Sequence, residues 1–170
     1  QDDRTMVQYF IGYQYVFIFV LDGGNISLYN SKIPEGLAQQ VNTMRDAIYG
    51  WALDPSPAQV NSYAQSANWL YQHLVAPVDS LLSYRLLIVP DNCVAYLPFD
   101  VLLRETPDSG TDFQAYPYLI KDHQISYAYS PYDFTQRPGS PNHRRAAVLG
   151  FAPSFGASST APETVAERRR

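Results

Sequence analysis

Residues 7–11 and 15–21 are dense in β-branched and aromatic side chains, the pattern of strands packed on a pleated surface. Asp22-Gly23-Gly24-Asn25 breaks that pattern with reversal chemistry, and Ile26, Leu28 and Tyr29 resume it, which predicts two or three antiparallel strands. The period then changes. After Pro34, Leu37, Val41, Met44 and Ile48 recur at helical spacing, with Gly50 placed to end the helix. Ser56 as N-cap and Pro57 at the first helical position open a second helix. It carries Val60, Ala64, Ala67, Leu70, Tyr71 and Leu74 along one face until Pro77 stops it, so the two form a helical hairpin.

Residues 86–89 have no polar face, which suits a strand covered on both sides. Pro90, Asp91 and Asn92 supply turn chemistry, and the pattern predicts reversal into a second strand over 93–97. Pro98 then opens a short helix that presses Phe99, Val101, Leu102 and Leu103 into a core. A polar loop over 104–115 leads to strands over 118–120 and 124–129, a short helix from Ser130-Pro131, a loop over 137–145 and a buried strand over 146–151. Beyond Phe155 the Ala/Ser/Thr/Pro run and three arginines have nothing to bury. The fold class is α/β: a mixed sheet with N-terminal β-hairpin strands, a helical hairpin, then further strands. Residues 1–155 form the folded part and 156–170 a flexible tail.

Composition narrows the partners. A chain of 170 residues suits one domain with a core of its own. Only 16% of residues are charged and 14% are aromatic, 14 of them Tyr, so the chain is globular and its tyrosines place rings inward with hydroxyls at the edge. The net charge is −4, and Arg144-Arg145 and residues 168–170 are short basic clusters, so nucleic acid is not an expected partner. Residues 10–21 are apolar but too short, and too interrupted by Gly12 and Gln14, for a membrane helix. The chain opens with Gln1, which suggests a piece of a longer protein.

A single cysteine excludes an internal disulfide and, with three scattered His, leaves no zinc-type spacing. No metal or cofactor is expected, and a reducing, cytoplasmic compartment fits best. Cys93 has no base specified beside it and reads as a half-buried filler. His73, His123 and His143 each read as solvated or locally bonded, because general-base work needs a positioned partner. Gly23-Gly24 lacks the Lys and helix of a phosphate-cradling loop and reads as a turn. Asp91 and Asp100 have no paired motif to bring them together. Trp51, Trp69 and Tyr71 sit at helical spacing as core residues, with a protein-binding face as the other reading.

Four blocks are more specific: ANWLYQHLVAP (67–77), LLIVPDNCVAYLPFDVLL (86–103), YLIKDHQISYAYSP (118–131) and AAVLGFAPSF (146–155). In order and spacing they resemble the front half of the CHAT domain, a group of caspase-like and separase-like cysteine peptidase relatives usually found with TPR arrays. Val-Pro-Asp followed by Leu-Pro-Phe, then by a strand ending Tyr-Ala-Tyr-Ser, is the most telling element. The resemblance implies the front part of a caspase-like domain. The family's catalytic His sits in a His-Gly element and its Cys at a later Ala-Cys strand end. Neither motif occurs here, so both are expected beyond Arg170 and no residue of this chain is assigned as catalytic. Cys93 and the three His do not match those positions. The implied partners are the remainder of the CHAT domain, TPR repeats in the parent and a protein or peptide substrate. A strand at 146–151 that has lost its neighbours is expected to make the chain self-associate. The rival reading is a non-catalytic interaction scaffold, and a small-molecule enzyme using Asp91 or His123 has only residue type behind it.

Overall fold

The computed structural model describes residues 4–53, 56–107 and 112–130, all within one compact unit. Strands β1 (Arg4–Ile11), β2 (Tyr15–Asp22) and β3 (Asn25–Lys32) form an antiparallel meander. Helices α1 (Leu37–Leu53) and α2 (Pro57–Leu74) follow, and then β4 (Arg85–Val89) and β5 (Gln124–Tyr127). The sheet has five strands in the order β3-β2-β1-β4-β5. Since β4 pairs parallel with both β1 and β5, the sheet is mixed, as the sequence pattern predicts.

Register sorts the side chains. Val7 lies opposite Val20 and Ile88, and Tyr9 opposite Ile18, so alternate positions of three strands build one face against the helices. Met6, Leu87 and Val89 point the other way into a smaller cluster with Ala128. This is why residues 86–89 lack a polar face: β4 is buried on both sides. The reversal between β2 and β3 is a Gly23-Gly24 turn in which both glycines have positive φ, at 54° and 95°.

The α2 start is built as its residues dictate. Ser56 Oγ accepts from the Gln59 N–H, and Gln59 Oε1 accepts from the Ser56 N–H at 3.1 Å, a reciprocal capping box with Pro57 in the first turn. All six residues expected on the inner face of α2 are buried.

Four local expectations are corrected. Gly50 does not end α1, which runs on to Leu53. A Cβ there would sit 2.3 Å from Gln59 Nε2, so Gly50 is where the two helices leave room for the capping glutamine. Ile48 is 37% exposed, and Ala47 fills the inward position instead. Residues 93–97 are not a strand. They form a 3₁₀ turn, Asn92–Tyr96, entered through Asn92 at φ 51°. Both edges of β4 are already taken by β1 and β5, so a hairpin partner has no ladder to join, whereas Val94 and Leu97, three apart, both reach the core. Residues 118–120 contribute only a bridge from Tyr118 to Leu103, followed by a 3₁₀ turn, Leu119–Lys121, that buries Leu119. The expected helix from Ser130-Pro131, the strand over 146–151 and the tail 156–170 lie outside the described residues.

Candidate functional site

The Leu-Pro-Phe-Asp turn is the first place where sequence singularity and tertiary contact coincide. Phe99 is the largest fully buried side chain among the described residues, with the Tyr9 ring 5.2 Å and the Tyr127 ring 6.5 Å away between centroids. Its backbone N–H donates to the Tyr127 hydroxyl at 2.9 Å, and that hydroxyl donates to Asp100 Oδ2. Burial, and then the hydrogen bond to Asp100, hold the Tyr127 hydroxyl well above the usual phenol range. The turn therefore fastens the end of β5 to the loop after β4. Asp91 works elsewhere, accepting the Ile11 N–H at 2.9 Å at the end of β1, so the two aspartates serve separate contacts.

Arg104 organises a second cluster, one that the polar character of residues 104–115 concealed. Its Nη1 donates to Tyr71 Oη and to Asp79 Oδ2, each at 2.7 Å, and its Nε donates to Asp122 Oδ2 at 2.8 Å. Its backbone carbonyl accepts from Asn68 Nδ2 at 2.9 Å. One residue thus ties α2, the 3₁₀ turn Ala76–Leu81 and the approach to β5 together. The Asp79 hydrogen bond is the main cause that raises the Arg104 pKa, with burial opposing it, so the guanidinium stays charged. The sequence signal was faint: a lone Arg directly after the buried pair Leu102-Leu103.

The histidines resolve by geometry. His123 is buried, with Nδ1 2.8 Å from the Ser83 carbonyl and Nε2 3.1 Å from Arg104 Nη2. A guanidinium has only donors, so Nε2 accepts and the hydrogen sits on Nδ1. His73 Nδ1 lies 2.7 Å from the Trp69 carbonyl one turn back, with the two rings 4.0 Å apart. His143 lies outside the described residues. Cys93 is half-buried against the core and burial pushes its thiol pKa up, which is the environment of an inert thiol. Among the described residues there is no group of three or more potential metal ligands, and no helix is long and apolar enough to cross a membrane.

The segment that carries α2 from Ala64, β4, the Phe99 turn, the Arg104 cluster and β5 is continuous with a family match: the CHAT domain profile fits residues 64–169, well over half of the chain. The chain belongs to the CHAT domain family. The match begins inside α2, so β1, β2, β3 and α1 precede it. The quoted blocks at 67–77, 86–103, 118–131 and 146–155 all fall within it. No curated protein matches the chain.

Proposed function

We propose that this chain is the N-terminal, non-catalytic portion of a CHAT-type, caspase-like cysteine peptidase, which cleaves peptide bonds only when a His/Cys half beyond Arg170 is present. In that chemistry a thiolate attacks the peptide carbonyl, an imidazole acts as base and then acid, and backbone N–H groups stabilise the oxyanion. The reading implies a protein or peptide substrate, TPR repeats in the parent and a reducing, cytoplasmic setting. The observation that carries it is the CHAT match over residues 64–169, and the state of the chain's own candidates supports the non-catalytic part of the reading. Cys93, the single thiol in the sequence, has a raised pKa, and the imidazoles of His73 and His123 are bound to the backbone of Trp69 and Ser83. Neither imidazole is bonded to the Cys93 thiol, so these three side chains form no Cys–His pair.

The test is peptide hydrolysis by the chain alone and by the same chain extended with whatever follows Arg170 in its gene. The expected result is no turnover alone, turnover when extended, and no effect of Cys93→Ala on either. Steady hydrolysis by the chain alone that vanishes in Cys93→Ala would overturn the proposal. A non-catalytic scaffold is the second reading, favoured by one feature: β3 is a sheet edge along which Ile26 and Leu28 are 69% and 55% exposed. Failure of the extended protein to cleave any peptide would favour it.

A further inference from the structure

Two adjoining depressions run along α1 where it meets the turns after β4. The larger, about 410 Å³, has walls that include Trp51, Val60, Val101, Phe113 and Tyr118. The smaller, about 340 Å³, has walls that include Arg45, Tyr49, Tyr96 and Tyr127. Ile48 and Pro98 line both, so the two form one groove.

The apolar end is set before anything binds. Tyr63 Oη donates to the Val101 carbonyl, and Trp51 meets Phe113 edge-on at 5.2 Å. At the other end the Arg45 guanidinium lies 5.4 Å over the Tyr96 ring and has no carboxylate partner among the described residues. A cation beside an apolar recess, with no ion-pair partner among the described residues, is locally complementary to an acidic group. The rim is open, with Tyr49 63% and Tyr96 67% exposed. A small-molecule site encloses most of its ligand, whereas an open groove of Trp, Tyr and Arg has the residue types that dominate binding energy at protein interfaces.

We propose that this groove docks a peptide segment of a partner protein, one that packs a large apolar side chain into the recess walled by Trp51, Phe113 and Val101 and lays a nearby Asp or Glu against Arg45. The proposal concerns binding alone and stands whether or not the parent cleaves peptides. Its probes are fluorescein-labelled Gly/Ser peptides carrying one Phe and one Asp at varied separation, read by fluorescence polarisation against the full chain. At the best separation the Phe/Asp peptide binds, and changing its Asp to Asn, or Arg45→Glu in the protein, weakens binding by about tenfold or more. The Arg45→Glu protein, checked for an unchanged thermal melt, regains affinity for a Phe/Lys peptide. Ile48→Asp, at a partly exposed position shared by both ends, weakens every Phe-containing probe.

Equal binding of Phe/Asp and Phe/Asn peptides, or no binding above an all-Gly/Ser control, overturns the proposal. So does dodecanoate binding in the absence of peptide binding, which would make the groove a small-amphiphile site. A dimer in light scattering that Arg45→Glu dissolves, without peptide binding, would assign the groove to a second copy and equally overturn it.

Discussion

Replacing Phe99 with Ala tests whether the Leu-Pro-Phe-Asp turn is scaffold. The ring is fully buried, and it touches Tyr9 from β1 and Tyr127 from β5, so its removal opens a void between two strands that do not pair with each other. Emptying a buried Phe site costs about 3–5 kcal/mol, of which each lost aromatic contact accounts for about 0.5–1.5 kcal/mol. The backbone N–H to Tyr127 Oη survives the substitution, so the loss belongs to packing. Against a typical total of about 5–15 kcal/mol, that is a large share of the domain's stability. Urea unfolding followed by Trp51 and Trp69 fluorescence and by circular dichroism gives the number, provided both probes trace one transition. Phe99→Leu, which keeps most of the volume, should cost about 1–1.5 kcal/mol. A loss below about 1 kcal/mol for Phe99→Ala, or equal losses for Ala and Leu, would refute the scaffold argument.

Arg104→Ala should destabilise by about 1–3 kcal/mol, a range already reduced because the cluster is partly solvent-screened, and Arg104→Lys should recover only part of it, since an ammonium cannot reproduce the guanidinium fork; equal stability of Arg104→Ala and wild type in a urea titration would show that the cluster holds nothing together. Gly50→Ala should forgo the usual helix gain of about 0.5–1 kcal/mol because the new Cβ displaces Gln59 from its cap, and the gain should return in a Gln59→Ala background. If the single variant alone is more stable in thermal melts, the close approach at Gly50 is not a constraint. Burial raises the pKa of Tyr9, Tyr63 and Tyr127. Above pH about 10 the unfolded chain releases phenol protons that the folded chain keeps, so their contribution is complete below that pH and falls as pH rises through the folded values. Phenolate absorbance of these three should appear together with loss of circular dichroism, and their smooth titration near pH 10 with the fold intact would contradict the burial argument.

The elements that were legible in the chain are those whose signals are local. The Asp22-Gly23-Gly24-Asn25 reversal, the Ser56-Pro57 start of α2 and the helical spacing of its inner face needed no distant partner to be read, and all are present. The Leu-Pro-Phe blocks were specific enough to point to the CHAT family, which the match over residues 64–169 bears out. The half-buried Cys93 could also be read from its own neighbourhood.

What failed to be legible depended on space that the chain itself fills. An apolar run of five residues after a turn reads equally as strand or 3₁₀ turn, and residues 93–97 became a turn because β1 and β5 already held both edges of β4. Gly50 looks like a stop until Gln59, nine positions on, is seen occupying the volume its Cβ would need. Arg104 reads as loop because its partners, Tyr71, Asp79, Asp122 and His123, are spread along the sequence and meet only when α2 and β5 are docked. The sequence alone determined which segments would be strand or helix wherever period and caps act within a few residues. The tertiary structure decided which edges were free, which volumes were taken and which charges met, because those are properties of packed neighbours and not of the chain's order.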